Sequence, residues 1–213
     1  MYSLVMASWL CLPLAPLNPL EQDTLPVMSF HLTAGITAPT DISSSGPELT
    51  AKYEMLATHP VVVRGTVEYR FSHIRANVYP QRDSRYVRLR GDLHGFTAGA
   101  DVLYYRGTNR LTGYLGLGAV YSLHSLITDE AASASMARTF DIDKIEIAPA
   151  VGYRVTMGLR YHRVYSLEIT ITELRPKFLY TRYMDTGYAR SDDPTRLSGF
   201  RVSVGHLWTI RQW

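Results

Sequence analysis

Seven histidines are the first place to look for chemistry in this chain of 213 residues. His31, His59, His73, His94, His124, His162 and His206 stand singly. None has a second histidine or a cysteine at the spacing that sets two ligands on one metal ion. Neither a metal centre nor a cofactor is expected. Ser203 and His206 invite a nucleophile–base reading, yet on an extended segment their spacing puts them on opposite faces. The chain has no nucleophile elbow and no phosphate-cradling glycine loop, so no catalytic residue is assigned. Asp129, Glu130, Asp141 and Asp143 offer carboxylates to a divalent cation, but a solvated acidic loop is the simpler expectation. The net charge of +3 comes from arginines scattered among acids, without the basic block that nucleic acid requires.

The charges that carry information are those spaced two apart. Lys52, Arg64, Arg70, Arg154 and Arg201, with Glu54, Glu68, Asp101, Glu146 and Glu168, all fall on the polar phase of segments that alternate polar and apolar residues. Five residues of each sign on one face are what a paired charge network in a narrow interior needs, because unpaired charges there are costly. Gly99, Gly116, Gly118, Ala148 and Gly205 share that phase and leave room for long side chains.

The elements that position these residues are strands. Phe30, Leu32, Ala34 and Ile36 alternate with His31, Thr33, Gly35 and Thr37. Val61, Val63, Gly65, Val67, Tyr69 and Phe71 alternate with Arg64, Thr66, Glu68, Arg70 and Ser72. The same period marks 49–58, 96–105, 111–122, 145–154, 165–172 and 200–208, with Pro149 and His206 as interruptions. That makes eight candidate strands of about ten residues, the length a tilted strand needs to cross a bilayer. Mean hydropathy is −0.08, and no run of about 20 apolar residues suggests a spanning helix.

Connections are short at His59-Pro60, Arg106–Arg110 and around Met157-Gly158. They are long and polar at Ala38–Glu48, His73–Leu93, Leu123–Lys144 and Leu174–Ser198. Such segregation suits hairpins inserted into a membrane from one side, with short periplasmic turns and long extracellular loops. Tyr53, Tyr69, Phe71, Tyr104, Tyr121, Tyr153, Tyr165, Phe200 and Trp208 lie on the apolar phase and mostly near strand ends, where interfacial girdles place aromatics. Residues 1–27 differ from the rest. They are apolar to Leu17, broken by Pro13 and Pro16, and lack the basic start of a secretory signal, which suggests a leader remnant or a periplasmic segment. Cys11 follows Leu10, not the small residue a lipoprotein signal requires, and a lone cysteine excludes an internal disulfide.

From residue 28 to 213 the chain resembles the small outer-membrane β-barrel proteins of the OmpA/OmpX-like class. The resemblance rests on architecture, on Thr112-Gly113-Tyr114-Leu115-Gly116-Leu117-Gly118-Ala119, and on Phe200-Arg201-Val202-Ser203-Val204 followed by Trp208. Trp213 supplies the terminal aromatic typical of the class, although Thr209 and Arg211 break the alternation before it. The resemblance implies an all-β, eight-stranded antiparallel up-and-down transmembrane barrel in a bacterial outer membrane. Its expected partners are lipid, lipopolysaccharide and the assembly machinery that reads the last strand. The expected role is structural or interactive, with a plugged lumen. The competing expectations are a narrow channel, a lipid A hydrolase or acyltransferase sited at the rim, and a soluble lipocalin-like carrier whose apolar face lines its interior.

Overall fold

The structure is a computed structural model and describes residues 28–38, 43–58, 60–78, 87–108, 110–130, 142–182, 188–194 and 197–211. The leader 1–27 and Trp213 lie outside these residues. The strands are β1 (Met28–Thr37), β2 (Gly46–Thr58), β3 (Val61–Val78), β4 (Val87–Gly107), β5 (Leu111–Thr128), β6 (Ile142–Ile147), β7 (Ala150–Tyr161), β8 (Tyr165–Glu173), β9 (Lys177–Arg182), β10 (Tyr188–Pro194) and β11 (Gly199–Arg211). Eight of them close into an antiparallel barrel in the order β1-β11-β8-β7-β5-β4-β3-β2, so each strand pairs with its neighbours in the meander and the last pairs with the first. Closure leaves no free sheet edge. An eight-stranded barrel has an interior just wide enough for side chains to fill.

The alternation resolves into two faces. Leu117, Val102, Val67 and Val151 point outward and are more than half exposed. On the other phase Arg64, Asp101, Arg154 and Glu168 are almost completely buried. This polarity is the reverse of a soluble carrier, whose interior would hold the apolar phase.

Toward the loop end the polarity changes sides. On β3, Val67 and Tyr69 face out, whereas farther along Ile74 is buried and His73 and Arg75 are exposed. On β4, Phe96 and Val102 face out, whereas Leu89 and Leu93 are buried and Arg88 and Arg90 are exposed. The change coincides with a ring cluster. Tyr69 and Phe96 have centroids 5.0 Å apart, Phe71 and His94 5.2 Å, and Phe71 and His73 5.3 Å. At about 3.3 Å per residue, β4 with its 21 residues far outruns a hydrocarbon layer about 30 Å thick. The strands therefore continue past the apolar band as a raised rim built in the manner of a water-soluble protein.

A three-stranded sheet, β10-β9-β6, belongs to this rim. Ile145, Ile147 and Phe178 from it pack with Ile74, Leu89, Leu93, Leu174 and Leu197 in one buried cluster. Here the structure corrects the sequence reading. The sixth alternating segment is not one strand, since residues 148 and 149 separate β6 from β7. Pro149 lacks the N–H a continuous ladder needs. Only the second half joins the barrel, and Ala148 makes no room in the lumen.

The β7–β8 turn is also displaced from Met157-Gly158, which lie inside β7. It falls at His162 and Arg163, with φ of 50° and 57°, and is closed by Val164 N–H donating to the Tyr161 carbonyl at 3.1 Å. Two consecutive left-handed residues make the tight hairpin turn whose twist matches the strands, usually signalled by Asn-Gly or Asp-Gly.

Candidate functional site

The lumen is filled by a connected network of ion pairs, and strand register explains how it forms. Arg64 on β3 sits directly opposite Asp101 on β4, and its Nε donates to Asp101 Oδ2 at 2.8 Å. The next inward position across β4 is Gly118 on β5, and beyond it comes Arg154 on β7. With no side chain at Gly118, Arg154 reaches across β5 to Asp101, its Nε donating at 2.6 Å and its Nη2 at 2.8 Å. The same device recurs one layer away. Tyr114 on β5 faces Gly158 on β7, which faces Glu168 on β8. The Tyr114 hydroxyl crosses that gap and donates to Glu168 at 2.8 Å.

Glu168 is the hub. Its side chain has no solvent exposure, and it accepts from Lys52 at 2.7 Å, Arg64 at 2.6 Å, Thr170 at 3.2 Å and Arg201 at 3.3 Å. Toward the loop end Arg201 also pairs with Glu48 and Glu68, and Arg154 pairs with Glu68 and Thr66. Toward the turn end Arg160 grips both oxygens of Glu54 at 2.6 and 2.5 Å. Tyr105 donates to the same carboxylate at 3.1 Å, and His31 Nε2 lies 3.4 Å from it. The Arg160 guanidinium lies 4.6 Å over the Tyr105 ring and 5.3 Å over Tyr114. Val62 and Leu103 join the Tyr105 and Tyr114 rings in a buried apolar cluster packed among these charges. Glu48, Glu54, Glu68, Asp101 and Glu168 thus face Lys52, Arg64, Arg154, Arg160 and Arg201, five acids against five bases.

Of the ten charges named from sequence, Lys52, Glu54, Arg64, Glu68, Asp101, Arg154, Glu168 and Arg201 meet in this network. Glu146 does not; it lies on β6 in the outer sheet beside Lys144, removed from the lumen by the break at Pro149. Arg70 sits apart at the loop end, half-buried, its Nη2 donating to Ser43 at 2.7 Å. Sequence reasoning missed Glu48, Arg160, His31, Tyr105 and Tyr114. Glu48 falls within the stretch Ala38–Glu48 that reads as a loop, and Arg160 falls beyond the turn expected at Met157-Gly158. The phase of His31, Tyr105 and Tyr114 already marked them as inward.

The named aromatics point outward in two groups. Tyr69, Phe71, Tyr121, Tyr153 and Phe200 lie toward the loop end, with Phe71 the most covered of them. Tyr53, Tyr104, Tyr165 and Trp208 lie on the same face toward the turn end, where Trp208 packs with Phe30 at 5.9 Å. Of the supposed dyad, Ser203 is buried in the lumen, whereas His206 stacks outside on Tyr165 and Trp208 at 5.6 and 4.5 Å. Asp141 and the side chain of Asp143 lie outside the described residues.

The glycine gaps give a direct prediction. A Cβ at Gly118 would fall 1.9 Å from Asp101 Oδ1 and 2.5 Å from the Ala100 carbonyl oxygen. Gly118→Val is expected to cost about 1–3 kcal/mol through overpacking and to separate Arg154 from Asp101. Urea unfolding in detergent micelles reads the loss, and an unchanged midpoint would mean that the gap is not needed.

A closed antiparallel barrel with an ion-paired interior and an outward apolar band edged by aromatic rings is a transmembrane β-barrel of the outer-membrane type. Among solved structures the chain is similar to the outer membrane protein OprG from Pseudomonas aeruginosa. The two share 13% identity over 87% of this chain and 98% of that one, with a TM-score of 0.60. Neisserial surface protein A aligns at 12% identity over 86% and 97% of the two chains, with a TM-score of 0.49. No family model and no curated protein matches the sequence. At such identity the likeness is one of fold.

Proposed function

We propose that this chain is a bacterial outer-membrane protein with a sealed lumen, which acts as a structural and interaction element through its exterior. The apolar band meets lipid and the lipid moiety of lipopolysaccharide. The raised rim at the loop end, with Arg75, Arg88 and Arg90 exposed on β3 and β4, meets lipopolysaccharide phosphates or surface partners. The strand β11, which closes on β1, is the segment offered to the barrel-assembly machinery. The observation that carries this reading is the filled interior: balanced, mutually bonded charges, with the apolar cluster of Val62, Leu103, Tyr105 and Tyr114 packed among them toward the turn end.

Reconstitution into planar bilayers tests it. The expected result is a silent membrane at high salt, with no discrete current steps. Regular steps from the purified wild-type protein would overturn the sealed lumen and favour a narrow channel.

A further inference from the structure

At the loop end of the lumen, beside the last ion pairs, lies a cavity of about 50 Å³. Register makes it. Arg70 on β3, Gly95 on β4 and His124 on β5 stand in one row, the same glycine-gap arrangement that Arg154 and Tyr114 cross elsewhere. Here no side chain crosses. A Cβ at Gly95 would find its nearest neighbours, His124 Cδ2 and Arg70 Cβ, at 3.6 and 3.8 Å.

The polar atoms left over around this space share one character. Ser72 Oγ, His124 Nδ1, Arg70 Nε and Arg201 Nε are buried without a hydrogen-bond partner among the described residues. Thr97 and Ser122 hydroxyls are 2.9 Å apart, and Ser122 Oγ is 3.1 Å from His124 Nε2. A chain in which Thr97 donates to Ser122, and Ser122 to Nε2, leaves the imidazole proton on Nδ1. All four atoms are then able to donate. The two carboxylates at the cavity, Glu48 and Glu68, are already held by Arg201 and Arg154. Arg70 stands across from Glu48 in register, but no carboxylate among the described residues lies within 4 Å of its guanidinium, so of the guanidiniums at the cavity it is the one without an ion pair. The apolar part of the lining is Leu93, Leu174 and Leu197.

We propose that this cavity binds a small monocarboxylate of the size of acetate or propionate. One negative charge matches the single unpaired guanidinium, and a doubly charged oxyanion would be repelled by Glu48 and Glu68. Four donors are available to the two carboxylate oxygens, and the leucines receive the methyl or ethyl end. The site lies at the loop end of the lumen, so it goes beyond the proposed exterior role and stands or falls independently of it.

The test uses the full chain refolded in detergent micelles and [1-13C]acetate as probe, with binding read from the broadening of its NMR line. Wild type is expected to give saturable broadening. Arg70→Gln should weaken it at least ten-fold, and Gly95→Val, which fills the cavity while keeping the cation, should abolish it. Arg75→Gln, exposed on the same strand, should bind as wild type. A mobility difference between boiled and unboiled samples on SDS gels shows that each variant has folded; if Arg70→Gln has not, Gly95→Val decides. Absence of saturable broadening in wild type, equal binding by Gly95→Val, or displacement of acetate by sulfate as readily as by propionate would overturn the proposal.

Discussion

Replacing Glu168 by Gln is expected to lower unfolding stability by about 3–5 kcal/mol, the range for breaking a buried ion pair by removing one partner. The size follows from the geometry. Glu168 is the one carboxylate within 4 Å of Lys52 among the described residues, and it also neutralises Arg64 and Arg201. Glutamine keeps the shape and removes the charge, which strands an ammonium group that is almost fully buried. The double variant Lys52→Met/Glu168→Gln should recover part of the loss, because replacing both partners of a buried pair is often close to neutral. Urea unfolding of the reconstituted protein measures both. A loss under about 1 kcal/mol, within the range of exposed ion pairs, would mean that water reaches the lumen and would undermine the sealed interior.

The second large effect lies on the opposite face. Leu117 is 65% exposed and sits midway along the band of β5, opposite Val102 and Val155. Leu117→Arg should cost about 2–4 kcal/mol in a bilayer, as expected for a cation at the midplane of a barrel's lipid face. Ser125→Arg, exposed on the same strand in the row of Phe71 and His94 at the edge of the band, should change stability by no more than about 1 kcal/mol. Water on both sides of the cluster would make the two substitutions equivalent.

Most of the barrel was legible because one face of every strand is apolar, and a period of two records this directly. Strand ends were not legible where the environment changes. Beyond Phe71 on β3 and before Phe96 on β4, the apolar phase turns inward, and the residues from His73 to Leu93 read as a polar loop. They are in part strand, carrying Ile74, Leu89 and Leu93 into a buried cluster. Glu48 was lost in the same way at the start of β2. Apart from Pro149, alternation runs from Ile145 to Arg154, although that proline divides those residues between two sheets, so phase alone marks Glu146 as a lumen residue. The β7–β8 turn was missed because His162-Arg163 carries no glycine or asparagine, while Gly158, the residue that looked like a turn, serves as the gap for Tyr114. Phase tells which way a side chain points. It does not tell which partner it reaches across a glycine two strands away.

In a membrane-spanning barrel the outward phase meets lipid. Spin labels at Leu115→Cys, Leu117→Cys and Ala119→Cys, each in a Cys11→Ser background and reconstituted in vesicles, test it through collision with oxygen or with a water-soluble nickel chelate. All three sites are exposed on β5. Strong relaxation by oxygen, weak relaxation by nickel, and the largest oxygen preference at position 117 are expected. Stronger relaxation by nickel at all three positions would place that face in water and contradict a membrane-spanning barrel.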